Sequence, residues 1–439
     1  MFIKSFGEKI VRGIIGDPTA FGFYSGFDGA QVNAIAVQPD GKILVSGQFS
    51  SYNGTPVEQI VRINSDYTLD QSFSPTGGGI YFNGNDGSQK IGFADRIYVF
   101  SDGRIALMYP SQTYIQPTNI GGFSKSNRHP GFVILDSNGA LDPTHATFKD
   151  TINDMSINTT VVLASAFRDD NLVLRFFSGY LVPHLNPDGT IKRIYNSLSP
   201  YSTVPANIKD LAIDSNNKVW AVGQGLNATD PITGNNYSNR GGIWTWDSNG
   251  DRDLTTFKGT FFINNSRPGY PIQIEIDSND NMWVGSTNNY YYPDHFNGDK
   301  TTSVAGFAWK LDQTGNVLTN LNLNNYYGNG NIFTSGFKLF DNDYLVMIGN
   351  GGPSHIHDGA FHYHNMLVVN PDGSFNTNFA STTNTASDDD KTFGPSPNLR
   401  TIAQIDSDSF AVGGSFTKYD GTNINNFIVF NVDGSVEVP

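Results

Sequence analysis

A unit of roughly 61 residues returns along this chain, and a period of that length confines the fold to arrays and propellers. The clearest copy begins VNAIAVQPDGKILVSGQFSSYNG and continues through EQIVRINSDYTLDQSF, residues 32–73. It reads as an alternating strand, an Asp40–Gly41 turn, a second strand KILVSG, a polar loop, a third strand QIVRI, another turn and a closing LDQSF. Asp-Gly between alternating apolar runs signals a hairpin, because the central residues of the favoured turn need positive φ. The turn-plus-strand element recurs as DGRIALM, DNLVLRF, NKVWAVG, DNMWVGS, DYLVMIG and DSFAVGG, so its first apolar residues are Ile43, Ile105, Leu172, Val219, Met282, Leu345 and Phe410. The second turn recurs in the same register as RINSDYTLD, ILDSNGALD, HLNPDGTI, TWDSNGDRD, KLDQTGNVL, VVNPDGSF and VFNVDGSV.

About four strands per unit, seven times over, predicts an all-β chain folded as a single seven-bladed β-propeller of four-stranded antiparallel blades, residues 31–439. Radial closure leaves only short, protected strand edges. A β-solenoid is the competing array, although its coils usually repeat over fewer residues. The 47 glycines, 32 phenylalanines and a charged fraction of only 15% suit short strands and tight turns rather than long helices. Residues 1–30 form a separate N-terminal segment. Within it GDPTAF (16–21) is similar to LDPTHATF (141–148) and LDQSF, the fourth-strand element, while the last unit runs out at VEVP. The segment is therefore expected to complete the outer strand of the last blade; an arm docking elsewhere is the alternative.

The pattern PDGKILVSGQFSSYNG…IVRINSDYTLDQSF resembles the bacterial delta-60 repeat, whose arrays are understood to fold as propellers. The first unit and the last, SFAVGGSFTKYDGTNINNFIVFNVDGS, match it closely, and the middle five match mainly at their turns. The resemblance implies a propeller but no reaction.

A formal net charge of −14 opposes nucleic acid and anionic membrane surfaces, both of which require clustered Lys and Arg. No run of about 18 apolar residues is present, so no membrane insertion is expected. Cysteine is absent, which removes disulfides and thiolate chemistry. The opening MFIKSFGEKIVRGIIGDPTAF is interrupted by Lys4, Glu8, Lys9 and Arg12, so no signal-peptide apolar core can be drawn through it.

Four of the eight histidines lie in HIHDGAFHYH, residues 355–364. A two-residue turn at Asp358–Gly359 would set His355 opposite His362 and place His355, His357, His362 and His364 on one face. Opposed Cβ atoms lie about 5 Å apart, which lets two imidazoles share Zn²⁺, Ni²⁺ or Fe²⁺. The competing readings are an exposed or interface hairpin of neutral histidines without cofactor, and a pH sensor in which charged imidazoles repel.

DSNGDRD (247–253), DSNGALD (136–142), DSNDN (277–281) and DSNNK (214–218) read as β-turn chemistry, since Asp and Asn bond their own backbone and tolerate left-handed φ. The first is a poor calcium loop: glycine is missing at its sixth position and Lys258 stands at the twelfth. Asp388, Asp389 and Asp390 lie in a long polar insertion and read as a solvated charge run. Trp220 and Trp283 fall at equivalent second-strand positions, with Trp244, Trp246 and Trp309 in third strands, which predicts packing between blades. Tyr290, Tyr291 and Tyr292 are expected in a loop, where they suit carbohydrate stacking or a protein contact.

No G-x-S-x-G elbow, P-loop, dinucleotide fingerprint or H-E-x-x-H motif occurs. The expectation is a non-enzymatic virion protein, in a bacteriophage tail or another particle appendage, assembled in the host cytoplasm. There it would contact other subunits of the particle or a host glycan. A bacterial cell-surface or secreted binding propeller is the alternative, and a metal-dependent or carbohydrate-active enzyme the third reading.

Overall fold

The computed structural model describes residues 25–73, 81–83, 89–91, 93–109, 115–116, 131–154, 162–176, 181–196, 198–199, 202–205, 207–229, 236–246, 249–250, 252–253, 260–263, 267–268, 271–286, 290–292, 304–305, 307–321, 326–327, 336–349, 355–358, 361–381, 391–393 and 397–437. Asp388–Asp390 and residues 1–24, which include GDPTAF, lie outside them.

Seven antiparallel blades surround a central channel. Their inner strands are Ser25–Val37, Arg96–Val99, Val162–Arg168, Asn207–Ile213, Pro271–Ile276, Gly336–Leu339 and Asn398–Gln404. Each pairs with the strand opened by the repeated apolar residue: Val37 faces Ile43, Val99 faces Ile105, Phe167 faces Leu172, Ile213 faces Val219, Ile276 faces Met282, Leu339 faces Leu345 and Gln404 faces Phe410. The expected propeller is therefore the fold, with the expected blade count and register.

The fourth strands are less regular than expected. Blades 3, 4, 5 and 7 carry one, at Ile191–Asn196, Arg252–Asp253, Val317–Leu321 and Val436–Glu437. Blades 1, 2 and 6 reduce it to the single bridges Ile63–Leu69, Leu135–Leu141 and Val369–Phe375. In blade 2 the reason is local. Pro143 has no N–H to continue a ladder, and Asp142 accepts from the Thr144 N–H (2.9 Å), starting a helix at His145–Asp154 instead. Phe148 of that helix is fully buried between blades 2 and 3.

Packing follows the alternation of side chains on each strand. Seven apolar clusters each fill one gap between adjacent blades, so no single core exists. The tryptophans lie in these gaps as expected: Trp244 and Trp246 between blades 3 and 4, Trp220 and Trp309 between 4 and 5, and Trp283 between 5 and 6. The last gap closes the ring, packing Val32 and Ile35 of blade 1 with Ala411 and Val429 of blade 7. Residues Ser25 and Gly26 pair in parallel with Ile424 and Asn425, in the hairpin between the second and third strands of blade 7. Asn426 Nδ2 adds a bond to the Phe27 carbonyl (2.8 Å), and the Tyr67 hydroxyl donates to Glu437 (2.6 Å).

The two ends of the ring differ. At one end the turns between first and second strands, and between third and fourth, are short and self-bonded. Asp214 Oδ1 accepts from the N–H groups of Asn216 and Lys218 (both 2.9 Å), and Asp277 and Asp136 repeat the arrangement. The Asp-rich stretches thus act as turn chemistry where the structure describes them. These turns also latch neighbouring blades: Asp280 accepts from the Ser215 N–H (2.8 Å) and hydroxyl (2.5 Å), and Asp170 takes the same two bonds from Ser101. At the opposite end leave all the long connections, such as those from Met108 to Phe132, Ser286 to Ala308 and Ile348 to Met366.

Candidate functional site

The channel encloses ≈ 970 Å³ and is lined by all seven inner strands. Aligned on the residues that pair with the repeated apolar positions, the preceding residue is Ala36, Tyr98, Ala166, Ala212, Glu275, Lys338 and Ala403. Four small side chains keep the channel open. The three large ones place chemistry in it. Two positions earlier, Arg96 of blade 2 and Asp210 of blade 4 also line the wall.

Lys338 donates to both oxygens of Glu275 (3.0 and 3.2 Å), joining blades 5 and 6. Its side chain is 44% exposed, so the ammonium remains open to the channel. Glu275 pushes the Lys338 pKa up, and burial raises that of Glu275 with Lys338 opposing it. The Tyr98 hydroxyl contacts Ser165 of blade 3 (2.9–3.0 Å). Asp210 accepts from the Ile274 N–H (3.1 Å). Enclosure within the ring pushes its pKa up to about 6, against the pull of Arg96.

A bulge recurs near the channel mouth. The pairing slips between Val32 and Ala34, Val162 and Ala164, Ile208 and Asp210, Pro271 and Gln273, and Leu399 and Thr401. Asn33, Leu163, Lys209, Ile272 and Arg400 are thereby the extra residues. In blade 2 Asp95 takes the same role, its N–H sharing the Met108 carbonyl (2.8 Å) opposite Arg96. Bulges re-aim side chains and concentrate beside functional sites. They also explain the glycine that ends the repeated second strand. A Cβ on Gly47 would lie 2.3 Å from the Gln31 carbonyl oxygen, and one on Gly414 would lie 2.3 Å from that of Asn398.

The histidine hairpin forms with a different register. Asp358 pairs with Phe361, so the turn lies one residue further on than Asp358–Gly359, and the opposed pairs are His355–His364 and His357–His362. The strand His355–Asp358 is held outside by Tyr326–Tyr327, and His362 exchanges N–H···O bonds with Ser381 (2.8 and 2.7 Å), which fixes this alignment. All four residues still share one face of the ladder. His362 and His364 are buried rather than exposed, with rings 6.5 Å apart. For His355 and His357 only the backbone is described. Among the described residues no group of three or more His, Asp or Glu is arranged to hold a metal ion.

Tyr290–Tyr292 is a strand, not a loop, and again only its backbone is described. It pairs with Thr260–Ile263 and Val304–Ala305, extending the sheet of blade 4 across the channel end of blade 5.

A family model described as a domain of unknown function (DUF5122) beta-propeller matches residues 38–73. No curated protein matches the sequence. Solved propellers are similar in outline. Virginiamycin B lyase from Staphylococcus aureus shares 11% identity over 92% of this chain and 97% of its own, with a TM-score of 0.43. The Dos1 propeller shares 13% over 94% and 91%, with a TM-score of 0.45. YCF48, solved bound to a D1 peptide, shares 7% over 92% and 94%, with a TM-score of 0.42. Among the described residues no helix is long and apolar enough to cross a membrane.

The channel residues were not foreseen from the sequence. Their signal was present in the aligned repeats: a position that is alanine in four units becomes Tyr98, Glu275 and Lys338 in the others.

Proposed function

We propose that this chain is a non-enzymatic binding platform of the delta-60 repeat type, carried on a virus particle as part of a bacteriophage tail or similar appendage. One observation carries the platform reading: the short turns at one end of the ring latch neighbouring blades, the connections between second and third strands leave from the other end, and charged side chains line the channel between. A rigid end and an elaborated end suit a module anchored by its ring and read by its loops. The particle assignment has compositional support: no cysteine, 47 glycines and a charged fraction of 15% fit a compact β protein exposed outside a cell. The cell-surface or secreted alternative has the resemblance to the bacterial delta-60 repeat in its favour.

A carbohydrate-active enzyme is the second reading, favoured by Asp210, whose raised pKa near 6 in an enclosed channel suits an acid or base. Peptide mass spectrometry on purified particles, culture medium and washed cell surfaces tests the assignment. Enrichment in particles supports it; recovery only from cells or medium transfers the platform to the bacterial surface. Turnover of a glycoside that disappears in Asp210→Asn would replace binding with catalysis.

A further inference from the structure

The channel mouth combines groups of three kinds that no structural role exhausts. Arg96 makes one long bond, to the Leu163 carbonyl (3.5 Å), and Arg400 is an exposed bulge residue. Neither is ion-paired among the described residues, although both act at longer range on Asp95. Their guanidinium forks are free to take a carboxylate with paired hydrogen bonds. Further in, Asp210 offers an acceptor to hydroxyl groups. Ile272, the bulge residue of blade 5 that lines the channel, supplies an apolar surface for a C–H face.

The carboxylates select against highly charged anions. A phosphate dianion beside the arginines would also meet Asp95 and Asp210. A single carboxylate flanked by hydroxyls meets a partner at each group instead. We infer that the channel mouth binds an acidic saccharide unit, its carboxylate held by Arg96 and Arg400 and its hydroxyls by Asp210. The channel volume of ≈ 970 Å³ lies in the range of small-molecule sites and admits such a ring. This inference rests on the binding-platform reading and names its ligand class.

Calorimetric titration of the full chain with glucuronic acid and with glucose tests it. Glucuronic acid should bind at least about tenfold tighter, the worth of a charge-assisted hydrogen bond. Arg96→Gln and Arg400→Gln should each remove about that advantage. Arg400 is exposed, so its variant keeps the result interpretable if Arg96→Gln fails to fold. A saccharide ending in glucuronate that binds as well as the monosaccharide identifies a glycan terminus as the source. Binding of the monosaccharide alone identifies a free sugar acid; either result supports the site. Equal binding of glucose and glucuronic acid, unchanged binding in both variants, or no binding of either sugar would overturn it. A negative titration leaves the platform reading standing, because particle fractionation judges that separately.

Discussion

The turn end and the channel end of this propeller are built from the same repeat but solve opposite problems. At the turn end, one buried ion pair is fully used. Arg62, 3% exposed, bonds Asp70 (2.8 Å), Gln38 Oε1 (3.1 Å) and the Ser137 carbonyl of blade 2 (2.5 Å). Burial alone would raise the Asp70 pKa, but hydrogen bonds from Ser72 and Lys42 and the charge of Arg62 hold it well below the usual carboxylate range. At the channel end, Asp210 is shifted the other way, and Arg400 has no carboxylate partner among the described residues. Charge stabilises one end and is held in reserve at the other. This is the difference expected if one is a structural ion pair and the other the ligand site proposed above.

Asp70→Asn should have the largest effect on stability. It leaves the Arg62 guanidinium buried without its counter-charge, a loss of about 3 kcal/mol or more in thermal or urea unfolding. The wild-type contribution is present above the unfolded carboxylate pKa and disappears as pH falls through the depressed folded value. Acid should therefore narrow the gap between wild type and variant. A gap that is small and constant with pH would show that the Arg62 cluster does not secure the turn end.

Asp210→Asn should act in the opposite sense. The folded pKa of Asp210 is raised from 3.8 to about 6, so the wild type is penalised as pH rises through that window. Among the groups facing it, Arg96 offsets the penalty and Glu275 adds to it, while Lys338 lies within range across the channel. The variant should be the more stable protein above about pH 7, by at most about 3 kcal/mol and less to the extent that channel water screens the charge. The advantage should vanish near pH 4. Melting curves at pH 5 and pH 8 check it, and an advantage larger at pH 5 would reverse the contrast between the two ends.

Arg400→Gln should have the smallest effect on stability, within about 0.5 kcal/mol, because its side chain is exposed and makes no ion pair with the described residues. The same variant should lose affinity for glucuronic acid. A marked fall in melting temperature would mean that Arg400 supports the bulge it sits in rather than a ligand.

The array was legible because its signals are local and repeated. Asp-Gly and Asn-rich turns need left-handed φ, seen at Gly41, Gly103, Asn217 and Asp280, and they announce each hairpin without reference to the rest of the chain. Two-residue alternation between the turns placed the tryptophans in the gaps between blades. The fourth strands of blades 1, 2 and 6 are shorter than their turns suggest, each a single bridge, and in blade 2 Pro143 and the Asp142 cap favour a helix over a ladder. The histidine register was off by one residue because the bridge from Ser381 and the strand Tyr326–Tyr327 align the hairpin from outside it. For the candidate site, the sequence determined which side chain stands at each repeat position, including the Ala-to-Tyr, Glu or Lys changes. Only the closed ring decided that Tyr98, Asp210, Glu275 and Lys338, far apart along the chain, surround one channel, because radial closure brings equivalent inner-strand positions to a common axis.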